Sequence, residues 1–208
     1  MKGLAMNLLR LMIVFLMALP LSACALSGGT VSGQVLEEGT DKPIPDAIVV
    51  VLWKGRVSSL ADSHGVCVHV DSTVSDSQGR YKFARWSKPS NVGPVFDLEP
   101  VVSAYKIGYG LPQTPSQKDE IVYLALFKGG SAERLEYLWR MRPSCDAQDE
   151  SEKNKLTLLK ALYDEAKLHG GDKKPEPNLM SLVERIRYDM EIIELGFEEA
   201  ERRHLKRP

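Results

Sequence analysis

The fold of this chain is decided by the stretch Lys42-Pro43-Ile44-Pro45-Asp46-Ala47-Ile48-Val49-Val50-Val51-Leu52-Trp53. The run from Ala47 to Trp53 is dense in β-branched residues, whose side chains fit the pleated surface of a sheet. An unbroken apolar run of this length is typical of a strand that is buried on both faces. We therefore predict a buried strand here and look for its neighbours on either side.

Further strands are predicted at Thr30–Leu36 and at Ile121–Phe127, which are short and rich in β-forming residues. Between them, four valines fall on alternate positions: Val66, Val68, Val70 and Val74. Side chains alternate between the two faces of a strand, so the valines are predicted to face a core and Cys67 to face away from it. The turn Ser75–Arg80 then leads into a strand that contains Tyr81.

The order of these pieces resembles the carboxypeptidase regulatory-like domain over residues 30–128. The matching pieces are Gly33-x-Val35, Lys42-Pro43-Ile44-Pro45-Asp46-Ala47-x-Val49, Asp76-x-x-Gly79-Arg80-Tyr81-x-Phe83, and Val101–Tyr105 followed by Gly108-Tyr109. The resemblance implies a seven-stranded transthyretin-like β-sandwich, with Gly79 at positive φ in a tight hairpin. Residues 86–120 depart from it, because they form a longer stretch with five prolines. If the fold binds a ligand, the loops around 87–98 and 110–119 are the expected places.

The first residues resemble the signal of a bacterial lipoprotein. Lys2 and Arg10 precede the apolar run Leu11–Leu19, which is too short to span a membrane. The tetrapeptide Leu21-Ser22-Ala23-Cys24 then resembles the lipobox, in which cleavage before the cysteine is followed by acylation of that cysteine. An ordinary cleaved signal with an incidental cysteine and an uncleaved anchor are the alternatives.

The lipobox resemblance implies that residues 1–23 are a removed signal peptide and residues 24–29 a lipidated linker. Two or more acyl chains, palmitate among them, hold a protein stably at a membrane, whereas one chain holds it only marginally. The residue after Cys24 is Ala25, where the inner-membrane retention signal common in enteric lipoproteins is an aspartate. The chain is therefore expected at the outer membrane, lipid-anchored on the periplasmic side.

Two cysteines remain once Cys24 is assigned to the anchor. In an oxidising compartment Cys67 and Cys145 are predicted to form a disulfide, which the loop-closure model values at about 4 kcal/mol. Two free thiols are an alternative. A metal site is another and needs two further ligands from the histidines, which are His64, His69, His169 and His204. Because Cys67 is predicted on the non-valine face, the disulfide would hold the tail against the outside of the sheet.

Residues 129–208 are predicted to form a helical tail. Asp149 or Ser151 can cap one helix, and Asn178 can cap a second, with a short connector that favours an antiparallel hairpin. Apolar residues of the second helix repeat at three and four positions: Leu179, Leu182, Val183, Ile186, Met190, Ile193 and Phe197. A shorter helix is expected around Ala132–Met141.

Composition and motifs exclude several functions. The chain has 27 Lys and Arg against 28 Asp and Glu, a net charge of −1, so no nucleic-acid partner is predicted. It contains no Gly-x-Ser-x-Gly, His-Glu-x-x-His, P-loop or dinucleotide fingerprint. We predict no enzymatic activity, no cofactor, and no catalytic or metal-ligating residue. His64 and His69, five positions apart, are expected on opposite faces of their strand, which argues against shared ligation of a metal.

Two functions of different class remain. The first is a non-enzymatic lipoprotein whose sandwich is an envelope structural or interaction module with a protein partner. The second is an extracytoplasmic module that binds glycan or peptide through Trp86 and the loops beside it, since an exposed aromatic ring offers a flat apolar face. A hydrolase is the third and least supported function, and it would require His69 and carboxylates to converge in a polar cleft.

Overall fold

The computed structural model describes residues 25–58, 63–90, 92–111, 117–118, 121–147, 149–173 and 180–206. These residues form a mainly β fold with helices toward the C-terminus, as the sequence predicts. The predicted signal peptide, the predicted lipidation site Cys24 and the predicted cap Asn178 lie outside the described residues.

The strands are β1 (Ala25–Gly28), β2 (Val31–Glu37), β3 (Ile48–Ser58), β4 (Ser63–Val74), β5 (Arg80–Phe83), β6 (Trp86–Pro89), β7 (Phe96–Tyr105), β8 (Tyr109–Gly110), β9 (Gln117–Lys118) and β10 (Ile121–Leu126). The helices are α1 (Ser131–Met141), a 3-10 helix (Glu150–Lys155), α2 (Leu156–Leu168), α3 (Leu182–Leu195) and α4 (Phe197–Leu205). Where the family resemblance implies seven strands, the described residues form these ten, arranged in three sheets.

Two of the sheets enclose an apolar interior. One is antiparallel with the order β4-β3-β7, and the other has the order β5-β2-β10-β8, with β9 paired to β10. Strands β2 and β10 run parallel, and the other pairs in these sheets are antiparallel. We call the enclosed residues the inner core: Leu26, Val31, Val35, Ile44, Ala47, Val49, Val51, Trp53, Val68, Tyr81, Phe83, Ala104 and Leu124.

Strand β3 is buried on both faces, which confirms the prediction from its apolar run. Val49 and Val51 belong to the inner core, whereas Val50 and Leu52 pack on the opposite side with helical residues. Strands β4 and β7 pair along its two edges. The alternation along the apolar part of β3 therefore places successive side chains in two different cores.

A two-stranded ribbon extends the second sheet. Strands β1 and β6 pair antiparallel, with Gly28 opposite Trp86. Three residues after Gly28 and three residues before Trp86, Val31 lies opposite Phe83 in the β2–β5 pairing. One register thus runs through both pairings, interrupted at residues 29–30 and 84–85. The segment after Cys24, predicted to be a linker, is a strand in this ribbon, and its Leu26 is buried in the inner core.

A β-bulge interrupts the regular alternation of β4. Trp53 lies opposite His69, whereas the next residue, Lys54, lies opposite Cys67, so that Val68 is an extra residue without a counterpart in β3. An extra residue reverses which side chains of a strand share a face. The alternating valines were predicted without such an insertion.

The bulge corrects the prediction that the four valines share one face. Val66 and Val68 pack with the inner core, but Val70 packs on the helical side together with Cys67, and Val74 is half exposed. The predicted position of Cys67 on the outside of the sandwich is confirmed, because it packs against the helical side.

The turn before β5 has the predicted geometry. Gly79 has φ +72°, and a β carbon there would lie 2.5 Å from the carbonyl oxygen of Val35. Asp76 Oδ1 accepts hydrogen bonds from the backbone N–H groups of Gln78 and Arg80 at 2.8 and 2.9 Å. A glycine is needed at this position because both the left-handed backbone and the close approach exclude a side chain.

The helices cover the outward face of the β4-β3-β7 sheet. Their apolar residues and those of the sheet form a second cluster, the outer core: Val50, Leu52, Val70, Tyr105, Tyr137, Leu138, Met141, Ala147, Leu158, Leu159, Leu162, Ala166, Val183 and Ile186. The predicted helix at Ala132–Met141 is confirmed as α1. Asp149 caps the 3-10 helix that leads into α2, with its side chain accepting from Ser151 N at 2.8 Å.

The last helices begin and end differently from the prediction. Ser181 caps α3 through a capping box, in which its hydroxyl accepts from Glu184 N and the Glu184 carboxylate accepts from Ser181 N. Helix α3 ends at Leu195 and is capped by Gly196, which has φ +85°. Phe197, predicted to extend the apolar stripe, begins a separate helix and is 59% exposed.

The predicted disulfide between Cys67 and Cys145 is confirmed, with their Cα atoms 5.2 Å apart. It joins β4 to the segment that precedes the 3-10 helix. In the described part of the chain, no helix is both long and apolar enough to cross a membrane.

Candidate functional site

Trp86, the predicted ligand-binding residue, is the first residue of β6 and lies where the ribbon leaves the second sheet. Gly28 is its partner across the ribbon. A β carbon on Gly28 would lie 2.1 Å from Trp86 Nε1 and 2.8 Å from the Trp53 ring, far closer than side-chain atoms approach. The indole of Trp86 is therefore positioned by direct contact with a residue that must be glycine.

Two aromatic rings surround this indole. Trp86 stacks on His69 with ring centroids 4.3 Å apart, and it meets Trp53 edge to face at 5.8 Å. His69 and Trp53 lie opposite each other in β4 and β3. Trp86 is partly exposed, and its Nε1 is buried without a hydrogen-bond partner among the described residues. We call this group, with Lys88 and Asp149, the Trp86 site.

An ion pair lies beside the rings. Lys88 donates to the backbone oxygen of Val68 and to the carboxylate of Asp149, and its ammonium lies 5.9 Å from the centroid of the Trp86 ring. Asp149 also accepts from the hydroxyl of Ser151 at 2.5 Å. The ion pair joins the ribbon to the start of the 3-10 helix, so the Trp86 site lies between the sandwich and the tail.

The charges of the Trp86 site follow from its contacts. Burial, followed by the charge of Lys88, lowers the pKa of His69 below its ordinary value of 6.5, so the imidazole is uncharged at neutral pH. Burial alone would raise the pKa of Asp149, but hydrogen bonds from Lys88 and Ser151 outweigh it and lower the pKa. At neutral pH the site thus presents a neutral aromatic pair beside an ion pair.

The Trp86 site borders a cavity of about 440 Å³ that is also lined by Ser87 and Pro89. An aromatic face next to a cation and a carboxylate can hold a flat or sugar-like surface and donate or accept hydrogen bonds at its rim. The Ser151 hydroxyl donates to Asp149 and accepts from Val70 N at 3.2 Å, so it is engaged in structure. The arrangement is suited to binding.

Lys88 and Asp149 were not among the site residues predicted from the sequence. Lys88 is two positions from Trp86 on the same strand, so period-two spacing could have placed the two on one face. Asp149 was identified only as a helix cap. Its contact with Lys88 joins residues 61 positions apart and has no local signal in the sequence.

A second polar group lies buried in the outer core. The side chains of Arg134 and Glu165 are 1% and 2% exposed, with Arg134 Nε 3.0 Å from Glu165 Oε1 and Nη2 2.8 Å from Oε2. Tyr105 donates to the same carboxylate at 2.5 Å, and Arg134 also donates to the backbone oxygen of Tyr109. Burial, then the contact with Glu165, raises the pKa of the Tyr105 hydroxyl. This network ties α1 and α2 to β7.

A serine, a histidine and a carboxylate also meet near the start of α1. Ser131 Oγ lies 3.3 Å from His169 Nδ1, and His169 Nε2 lies 4.0 Å from Glu165 Oε1. A catalytic carboxylate orients its histidine by a direct hydrogen bond. Glu165 is instead held by Arg134 and Tyr105, and the imidazole is beyond hydrogen-bond distance. Glu165 therefore serves the buried network, and the geometry of the three residues is not that of a catalytic triad.

Within the described residues, no cluster of three His, Cys, Asp or Glu side chains is arranged to hold a metal ion. Cys67 and Cys145 are used by the disulfide.

Comparisons with known proteins give little. Neither the scan against protein-family models nor the search of curated proteins finds a match. Among solved structures, the chain is similar to a 9R-lipoxygenase from Cyanothece PCC8801 at 15% identity and a TM-score of 0.25. The similarity covers 80% of this chain and 29% of the lipoxygenase. At this TM-score the likeness supports no statement about fold or function.

Proposed function

We propose that this chain is a non-enzymatic bacterial lipoprotein, anchored through Cys24 on the periplasmic side of the outer membrane. Its sandwich, of the carboxypeptidase regulatory-like and transthyretin-like type, serves as an envelope structural or protein-interaction module. The observation that carries the proposal is the position of β1, whose first residue is Ala25. The lipid-bearing residue would thus be adjacent to the first strand.

This adjacency has a mechanical consequence. Leu26 is buried in the inner core, and β1 pairs with β6 over its whole length. An acylated Cys24 would have no flexible spacer between membrane and body, so the ribbon would hold the sandwich close to the lipid surface. The disulfide and the outer core fix the helical tail to that same body. A rigid body on a short tether suits a structural or docking role.

The family resemblance has its own support. Two sheets enclose the inner core, the turn at Gly79 has the expected positive φ, and β3 follows the proline-flanked stretch. The additional ribbon and the short strand β9 would then be elaborations on a seven-stranded sandwich, whose strands are β2, β3, β4, β5, β7, β8 and β10. An experimental structure with a different order of strands within the two sheets would contradict this assignment.

The anchor is tested by Cys24→Ser with membrane fractionation and labelling with radioactive palmitate. We expect the wild-type chain in the outer-membrane fraction with label, and the variant in the soluble fraction without it. Cys67→Ser is the matched control, because it removes a different cysteine and leaves the lipobox unchanged. Retention of Cys24→Ser in the membrane would contradict the anchor.

The interaction role is tested by capture of partners from detergent-solubilised outer membranes with the lipidated chain as bait. One or more specific envelope proteins are expected. Recovery of none, with an anchored and folded bait, would contradict the interaction role and leave the anchor standing.

A second candidate function rests on the Trp86 site. The partly exposed indole, its Nε1 without a partner in the described part of the chain, and the adjacent Lys88–Asp149 ion pair support binding of a glycan or a peptide. Soluble peptidoglycan fragments, which carry both chemistries, are a suitable probe. We expect Trp86→Ala to abolish their binding and Trp139→Ala, at an exposed tryptophan elsewhere, to preserve it. Equal binding by both variants would exclude the Trp86 site.

A further inference from the structure

A groove of about 690 Å³ lies between β10 and α1, and residues from the end of β2 complete it. We call it the β10–α1 groove. Two of its lining residues are large apolar side chains with much of their surface in solvent: Leu111 is 57% exposed and Leu126 is 55% exposed. Scattered exposed leucines are ordinary, but two in one concave site mark a surface that gains free energy when it is covered.

A buried hydroxyl is left without a partner at the same groove. Tyr137 lines it, is 8% exposed, and its hydroxyl makes no hydrogen bond to the residues that the structure describes. Burial, the largest effect, raises its pKa to about 12, so the hydroxyl keeps its proton at physiological pH. A protonated hydroxyl without an acceptor is unfavourable in a folded protein. The hydroxyl oxygen itself is shielded from solvent, so Tyr137 contributes the rest of its side chain to the surface of the groove.

The charge of the groove selects the chemistry of what can enter. Four carboxylates line it, from Glu37, Glu38, Glu133 and Glu136, against two cations, Lys128 and Arg140. Arg140 is already paired with Glu136 on the exposed face of α1. The remaining carboxylates outnumber the one remaining cation, so the groove attracts positive charge and repels negative charge.

We infer that the β10–α1 groove docks a segment of a partner protein that carries lysine or arginine side chains beside a large apolar side chain. The apolar side chain covers Leu111 and Leu126, and the cations pair with the glutamates. This inference deepens the proposed interaction role and rests on it. It names the chemistry of the partner and the surface that meets it.

The inference is tested by flowing synthetic peptides over the immobilised full chain in non-ionic detergent. One peptide contains leucine and lysine, and a peptide of equal length contains leucine and glutamate. We expect the lysine peptide to bind and the glutamate peptide not to bind. Reversing two of the remaining charges, with Glu38→Lys and Glu133→Lys, should weaken binding of the lysine peptide about tenfold, because each surface pair contributes up to about 1 kcal/mol.

Matched variants separate the groove from general surface effects. Glu198→Lys reverses an exposed charge in α4, and Leu205→Ser removes an apolar side chain that is 77% exposed there. Both variants should bind the lysine peptide like the wild type, whereas Leu126→Ser should weaken binding of that peptide several-fold. Equal binding of both peptides, or equal loss in the groove and control variants, overturns the inference.

Further outcomes distinguish a failure of the groove proposal from a failure of the proposed interaction role. If the wild-type chain self-associates in sedimentation and Glu133→Lys abolishes this, the groove belongs to a second copy and the partner assignment is wrong. If the lysine peptide does not bind but the anchored chain still captures a specific envelope protein, the groove is wrong and the interaction role stands. Peptide binding without any captured partner contradicts the interaction role as proposed.

Discussion

The two faces of the β4-β3-β7 sheet are buried in different ways. On the inner face, Val49, Val51 and Trp53 pack against a second sheet, and the inner core is almost entirely apolar. On the outer face, Val50 and Leu52 pack against helices, and that side also contains a disulfide and a fully buried ion pair. One strand thus serves two cores that are held together by different interactions.

The difference reflects which elements pack on each face: strands of a second sheet on the inner face and helices on the outer face. Strands of two sheets are positioned by pairing and by alternation of side chains, so apolar packing is sufficient on the inner face. Helices joined by loops have no backbone pairing to the sheet, and apolar stripes alone leave their position weakly defined. The Arg134–Glu165 network and the Cys67–Cys145 disulfide supply directional and covalent links at two points of the helical layer. The outer core should therefore be the more sensitive to single polar substitutions.

The largest effect is expected from breaking the buried ion pair. Arg134→Met leaves the Glu165 carboxylate buried without its cation, which should lower the free energy of unfolding by about 4 kcal/mol in urea titrations. Arg140→Met is the control on the same helix, because its pair with Glu136 is exposed and should contribute less than about 1 kcal/mol. Equal losses in the two variants would remove the distinction between the outer core and an ordinary surface.

The disulfide should have the next largest effect, and it should be local to the outer face. The double variant Cys67→Ser with Cys145→Ser is expected to lose about 3 kcal/mol of unfolding free energy. This is below the loop-closure value of about 4 kcal/mol, because an unfolded chain with residual structure gains less entropy when the loop is opened. Limited proteolysis should then cut preferentially after residue 130 and leave the sandwich intact. Uniform cleavage throughout the chain would show that the two faces are not separable in this way.

A clash on the inner face should have a smaller effect. Gly28→Ala forces the Trp86 and Trp53 rings apart, and a small-to-large change in a packed site costs about 2 kcal/mol. Gly29→Ala is the matched control, because a β carbon there meets no atom within 4 Å. The tryptophan emission spectrum should shift in the first variant alone. An unchanged spectrum in Gly28→Ala would show that the ribbon does not hold Trp86 in place.

Much of the inner face could be predicted from the sequence because its signals are local. The apolar run of β3, the glycine of the Asp76–Gly79 turn and the closing strand β10 each depend on neighbouring residues. The bulge at Val68 could not be predicted, since an inserted residue leaves the spacing of the valines unchanged in the sequence. The parallel pairing of β2 with β10 depends on the whole topology, and no local pattern specifies it.

The outer face was predicted in part. Helices α1 and α2 and the disulfide follow from periodicity, capping and cysteine count. Helix α3 is capped by Ser181 and not by the predicted Asn178, although Ser181-Leu182-Val183-Glu184 is itself a capping-box pattern and thus a local signal for this start. The Arg134–Glu165 pair could not be predicted, because each residue alone is typical of a solvated helix surface. At the candidate site, the loop beside Trp86 is the local feature on which its predicted ligand-binding role depends, and that role stays a prediction. The positions of Lys88 and Asp149 beside it required the tertiary structure.

The smallest effect concerns the junction of the two faces, where His69 stacks on Trp86. The pKa of His69 is lowered in the folded chain, so the folded state binds fewer protons than the unfolded state below about pH 6.5. Its contribution to stability is therefore complete above pH 6.5 and decreases as the pH falls toward the folded pKa. Three charged groups act on it: Lys88 lowers the pKa, and Asp149 and Asp71 raise it without cancelling the effect of burial.

The variant His69→Gln removes this titration and leaves the other histidines in place. The difference in unfolding free energy between wild type and variant, measured from pH 7.5 to pH 5, should shrink as the pH falls. Tryptophan fluorescence should change over the same range in the wild type only, because a charged imidazole alters its contact with the Trp86 ring. A pH-independent difference would mean that His69 is equally solvated in both states, and the stacked pair would then be too open to link the ribbon to the tail.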